Sequence, residues 1–190
     1  MSHPFTRSAA ALLLVLGSAC MAGSATAADF SLRSPELQPG QTLPAAQVFQ
    51  GFGCTGGNQS PALVWEHAPA GTKSYALTVY DPDAPTGSGW WHWVVYNLPA
   101  NTTQLPSNAG RADGTLLPAG TVQGRTDFGT QGYGGACPPV GHPAHRYQFT
   151  VHALDVEKLE LPQDATAALI GYMVNMHRLG SAGFQVMYGR

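Results

Sequence analysis

Glycine or proline stands on average at every fifth position of this chain, 23 glycines and 15 prolines among 190 residues. Inside a helix each glycine costs about 1 and each proline about 3 kcal/mol relative to alanine. A helical bundle or coiled coil is therefore excluded, and short strands joined by turns become the default. Apolar side chains make up 44 % of the sequence, enough buried surface to offset the entropy of ordering and to exclude a disordered chain. The length suits one domain. Nine Lys and Arg face eleven Asp and Glu, and lysine occurs only at Lys73 and Lys158. With no basic stripe to follow a phosphate backbone, nucleic-acid binding is not expected.

The first residues read as a leader. Met1 to Arg7 carries one positive side chain, Ser8 to Ala19 is small or apolar without a break, and Ala25-Thr26-Ala27 is a small-x-small cleavage site. This pattern predicts a secretory signal peptide over residues 1–27, a single domain over residues 28–190 and a periplasmic or secreted location. The apolar run falls short of the about 20 residues that cross a bilayer, so no transmembrane segment is expected. A lipid anchor on Cys20 is the alternative, although Gly17 stands where a lipobox usually has leucine. Loss of Arg7 with the leader makes the formal charge more negative than −2.

Cleavage leaves Cys54 and Cys137, each in a glycine-rich loop. An even count in an oxidising compartment reads as a disulfide, with two free thiols as the alternative.

Three segments alternate or are β-rich between turn signals: Tyr75 to Tyr80, Trp91 to Leu98 and Tyr147 to Leu154. Leu63 to Trp65 and Phe184 to Tyr188 are shorter candidates. One helix is expected after Pro162, with Asp164 as N-cap, a body running to Arg178 and Gly180 as the C-terminal stop. Between Asn101 and Gly135 the chain is polar and glycine-rich, a length of loop that usually carries function or is mobile.

No Gly-x-Ser-x-Gly elbow, His-Glu-x-x-His helix, phosphate-binding Gly-x-x-x-x-Gly-Lys loop or dinucleotide fingerprint is present, which disfavours the hydrolases and nucleotide enzymes that use them. What stands out is two blocks at strand ends. One runs Asp81-Pro82-Asp83-Ala84-Pro85 to Trp90-Trp91-His92-Trp93, the other Gly134-Gly135-Ala136-Cys137-Pro138-Pro139 to His145-Arg146-Tyr147.

These blocks, in this order, resemble the two signatures of the phosphatidylethanolamine-binding protein family, also called Raf kinase inhibitor-like proteins, in its bacterial exported branch. Phe52-Gly53-Cys54-Thr55-Gly56-Gly57-Asn58-Gln59-Ser60-Pro61-Ala62-Leu63-Val64-Trp65 resembles that branch's entry motif, and the likeness covers nearly all of residues 30–190. The resemblance implies a mainly β fold, a large antiparallel sheet packed on a smaller one with a peripheral C-terminal helix. It also implies a small anion pocket lined by Asp81, Pro85, His92, Pro139, His145 and Tyr147, with Trp90, Trp91 and Gly135 beside it. Family members bind phosphate-like head groups there.

The residue chemistry agrees with that role. Two imidazoles can donate to an oxyanion, Tyr147 adds a hydroxyl, and Gly135 lets backbone N–H groups come close. Asp81, an acceptor, is expected to orient an imidazole rather than to touch the anion. Pro85 and Pro139 are candidates for cis peptide bonds in the pocket wall. The two cysteines are assigned to the exported setting rather than to the pocket itself.

The expected function is non-enzymatic binding of a small anion or phosphorylated head group, with no cofactor. One alternative is a protein-interaction regulator resembling kinase or protease inhibitors, acting outside the cytoplasm, for which a homodimer is an allowed assembly. Another is a metal site or hydrolase built from Cys137, His142 and His145, whose Cys-x4-His-x2-His spacing suits zinc. The disulfide and the anion pocket are preferred for Cys137 and His145, so no metal is expected and His142 is assigned to the surface.

Overall fold

The structure, a computed structural model, describes residues 28–190; the expected leader and Cys20 lie outside the described residues. Among the described residues, ten strands and one α-helix follow in chain order, with a single 3-10 turn at Ala45–Gln47. They are β1 (Ser31–Arg33), β2 (Gln50–Gly51), β3 (Cys54–Thr55), β4 (Leu63–Glu66), β5 (Ser74–Asp81), β6 (Trp90–Pro99), β7 (Gln104–Leu105), β8 (Val122–Gln123), β9 (His145–Leu154), α1 (Ala167–His177) and β10 (Arg178–Tyr188). Five strands form the large sheet, in the order β10-β9-β5-β6-β8. Three form a small sheet, β1-β4-β7, and β2-β3 is a separate hairpin. All paired strands are antiparallel.

The alternation seen in the sequence sets which face each strand presents. Tyr75, Leu77 and Val79 of β5 and Tyr147, Phe149, Val151 and Ala153 of β9 meet Leu32, Leu63 and Trp65 of the small sheet in the main core. The opposite face of the large sheet is covered in part by α1, where Ala76, Val94, Tyr96 and Leu154 pack on Ile170 and Val174. Central strands buried on both sides explain why β5 is buried almost without interruption.

The helix departs from expectation at both ends. Thr166, not Asp164, is the N-cap; its hydroxyl accepts from the Leu169 N–H at 3.2 Å. Gly180 does not stop the helix, because Arg178 already begins β10. The stop is tertiary: His177 O accepts from the Asp155 N–H at 3.0 Å, and the His177 ring bonds the Asp155 carboxylate at 3.0 Å. Gly180 lies instead in an edge strand against Pro69, where an added Cβ would come within 2.9 Å of Cγ. No helix among the described residues is long and apolar enough to cross a membrane.

Candidate functional site

The C-terminal end of β5, the N-terminal ends of β6 and β9 and three loops converge on one cavity of about 180 Å³. Asp81 closes β5, Trp90 and His92 open β6, and His145 and Tyr147 open β9. Antiparallel pairing brings these strand ends together: Asp81 lies opposite Trp90, and Tyr80 opposite Gln148.

A register shift lets His92 face this cavity. Tyr80 pairs with Trp91 and Val79 with Trp93, so His92 is the extra residue of a bulge. Strict alternation would set His92 on the face opposite Trp93. The bulge buries both, His92 beside the cavity and Trp93 in the main core. Trp91 remains on the other face, tilted against Tyr80 with ring centroids 4.6 Å apart, and outside the cavity.

Both histidines are anchored through Nδ1. The His145 Nδ1–H donates to Asp81 Oδ2 at 2.8 Å, with both side chains only 4 % exposed. The His92 Nδ1–H donates to the Gly134 carbonyl at 2.7 Å. Each ring is thereby fixed as to which nitrogen remains for a ligand, namely Nε2. Burial lowers the proton affinity of His92, opposed by its bond to Gly134 and by the Asp81 charge. Burial also holds the Tyr147 hydroxyl well above the ordinary tyrosine range, so it stays an O–H. Tyr147 meets the His92 ring edge-on at 5.1 Å.

A second carboxylate braces the site from outside. Asp83 receives Arg146 Nε at 2.9 Å, Arg146 Nη2 at 2.6 Å and the Arg146 backbone N–H at 2.8 Å. The Arg146 hydrogen bonds pull its carboxyl down to about 2. The Asp83 N–H in turn donates to Asp81 Oδ1 at 2.8 Å. Asp81 thus has one oxygen on the turn and the other on His145.

Of the expected site residues, Asp81, Pro85, Trp90, His92, Pro139, His145 and Tyr147 line the cavity, and Trp91 and Gly135 do not. Gly135 is needed for a close approach between chain segments: a Cβ there would sit 2.3 Å from the Gln47 carbonyl oxygen. Its N–H is already taken by Asn58 Oδ1 at 2.7 Å. No cis peptide occurs among the described residues, which corrects the expectation for Pro85 and Pro139. The bend after β5 comes from the Asx turn at Asp81 and from Gly89, at φ 69°, where a Cβ would collide with Tyr80 and the Asp81 carbonyl.

The disulfide joins Cys54 to Cys137. It is part of the pocket after all, because Cys137 lines the cavity beside Pro138 and Pro139. That bond also removes Cys137 from any metal set, and His142 is exposed. No cluster of three His, Cys, Asp or Glu among the described residues is placed to hold a metal.

Sequence reasoning missed Phe52 and Phe128. Phe128 touches Phe49, Phe52, Trp90 and His92, with ring centroids 4.6, 6.0, 5.4 and 5.3 Å away respectively. The available signal was an aromatic next to glycine in a turn, in Gly51-Phe52-Gly53 and Asp127-Phe128-Gly129. The long loop from Asn101 to Gly135 supplies Phe128 and the Gly134 carbonyl.

The family model of phosphatidylethanolamine-binding protein matches residues 33–189. Escherichia coli YbcL is 56 % identical over 165 residues, covering 87 % of this chain and 90 % of that protein. Escherichia coli YbhB is 52 % identical over 157 residues, covering 83 % of this chain and 98 % of that protein. The crystal structure of YbcL superposes with a TM-score of 0.84 at 55 % identity, covering 86 % of this chain and 99 % of that one.

Proposed function

Because the chain belongs to the phosphatidylethanolamine-binding protein family, whose membership supports a binding-type function, we propose that it binds a small oxyanion, a phosphate or phosphorylated head group, without turning it over. One observation carries this reading: two imidazoles, each locked through Nδ1, share a cavity of about 180 Å³ with the Tyr147 hydroxyl. The lining includes no serine, and its cysteine is bonded to another. The hydroxyl of Thr86, also in the lining, is donated to the Gly89 carbonyl. A binding role therefore fits better than nucleophilic catalysis.

The anchoring dictates how an anion is held. With Nδ1–H donating inward, the Nε2 of a neutral ring offers a lone pair, and it donates to an oxyanion only after taking a proton. Anion binding is therefore coupled to proton uptake, either by a ring or as a P–OH kept by the ligand. Affinity is expected to rise as pH falls, because acid supplies that proton. The disulfide fits an oxidising compartment and supports the export reading.

Titration calorimetry with inorganic phosphate at pH 6 and pH 8 tests the proposal. Binding is expected, tighter at pH 6, and His92→Ala or His145→Ala each weakens it by about tenfold to a hundredfold, the worth of a charge-assisted hydrogen bond. Absence of heat and of thermal stabilisation, or variants that bind as the wild type does, would overturn it.

A further inference from the structure

The tip of the β2–β3 hairpin carries a phenylalanine where backbone geometry favours a different residue. Its two turn residues, Phe52 and Gly53, both have positive φ, at 52° and 82°. This is the backbone of a type I′ turn, which strongly prefers Asn-Gly. A bulky side chain in the left-handed region is disfavoured there. Burial does not compensate, since Phe52 is 68 % exposed. The tip is nonetheless held firmly: Cys54 is bonded to Cys137, and Arg190 Nη2 donates to the Phe52 carbonyl at 3.1 Å. Its ring meets Phe49 at 5.3 Å and Phe128 at 6.0 Å, yet most of it stays open to solvent at the mouth of a cavity.

Phe52 and Phe128 line two cavities, one on each side. The first is the oxyanion cavity, and the second is a groove of about 760 Å³. Away from its aromatic wall this groove is polar. It presents the amides of Gln50, Asn108 and Gln131, the Thr130 hydroxyl and the Arg111–Asp113 ion pair, whose closest atoms are 2.7 Å apart. An acyl chain laid there would strip water from these groups and give nothing back. A ring with hydroxyls at its edge and C–H groups on its faces satisfies both walls at once, bonding the amides and stacking on the phenylalanines. We propose that Phe52 and this groove form a subsite for a hydroxylated ring joined to the phosphate, so that the ligand class is a sugar phosphate rather than a diacyl phospholipid. The proposal rests on the oxyanion reading of the adjacent cavity.

Calorimetry with three probes tests it: inorganic phosphate, glucose 1-phosphate and dihexanoyl phosphatidylethanolamine. The wild type is expected to bind glucose 1-phosphate about tenfold more tightly than inorganic phosphate, the scale of one good aromatic contact. Phe52→Asn is expected to abolish that preference and raise the melting temperature, because asparagine suits the turn. Gln131→Ala, on the far wall, is expected to reduce the preference without touching the hairpin. Equal wild-type affinities for the two phosphates, tighter binding of the short-chain lipid, or a Gln131→Ala variant, outside the oxyanion cavity, that weakens both phosphates alike would overturn the subsite while leaving the oxyanion site standing. If inorganic phosphate itself does not bind, both fall.

Discussion

His145 and His152 lie seven residues apart on β9, and so on opposite faces of the same sheet. Each is buried, 3 % and 8 % exposed, and each lines a cavity of about 180 Å³. Their hydrogen bonding differs. His145 is fixed by the Asp81 carboxylate, which leaves Nε2 for the cavity. His152 touches only the Thr78 hydroxyl through Nε2, at 3.2 Å, and its Nδ1 has no partner. Desolvation, with the nearby Arg178 charge, pushes its pKa down to about 4. A histidine beside a cavity becomes a directed donor when an acceptor locks its second nitrogen. Without that lock it is a neutral core residue beneath a helix.

The largest effect that would break this comparison comes from removing each ring. His145→Leu leaves the Asp81 carboxylate buried beside an apolar group, and the expected loss is about 3–5 kcal/mol, the cost of removing one member of a buried pair. His152→Leu removes an orphaned nitrogen and is expected to stay within about 1 kcal/mol of the wild type. Urea unfolding at pH 7 measures both, and equal losses would dissolve the distinction.

Acid sharpens it next. The folded state resists protonating His152 until about pH 4, whereas the unfolded chain accepts that proton near 6.5. The stability contributed by the neutral ring is therefore complete above pH 6.5 and declines as pH falls toward 4, by at most about 1.4 kcal/mol per pH unit. His92, also lowered by burial, acts in the same direction. His152→Leu should flatten part of the slope in unfolding experiments between pH 7 and 4. Over the same range anion binding is expected to strengthen, so stability and affinity move in opposite directions.

The smallest effect belongs to the outer brace. Asp83 is held at about 2 by Arg146, so its contribution is present above its ordinary value of 3.8 and is lost as pH falls from there toward 2. Both partners are partly exposed, so Asp83→Asn is expected to cost under about 1 kcal/mol at neutral pH, with the difference from wild type vanishing near pH 2.

These contrasts also mark what could be read from the sequence. The inward faces of β5 and β9 were legible because period-2 alternation is a local property; Asp81 and His145 were named through signature blocks, but their pairing with each other is a product of the fold. Of the long edge strand β10 only Phe184 to Tyr188 was legible, its first residues being assigned to the helix end and its stop, because Gly180 and Gly183 interrupt its pattern. Gly183 is there because a Cβ would stand 2.6 Å from the Phe149 carbonyl oxygen, a non-local reason. Trp91 was placed beside the pocket by the resemblance, and its position on the other face follows from the bulge at His92, which depends on cross-strand pairing. Phe52, though part of the entry motif, and Phe128 were not read as site residues because they lie in separate turns with no periodicity, and only the folded chain brings them together.

The one-residue step from Trp90 to Trp91 gives the molecule two optical reporters on opposite sides of a sheet. Trp90 stands edge-on to Phe128 at the cavity wall, while Trp91 rests on Tyr80 and reaches within 3.7 Å of where a Cβ would lie on Gly171 of the helix. The other two indoles, Trp65 and Trp93, lie in the main core. Emission changes removed by Trp90→Phe would report occupancy of the pocket, and those removed by Trp91→Phe the seating of α1. A single titration thereby resolves ligand capture from helix loosening without any attached dye.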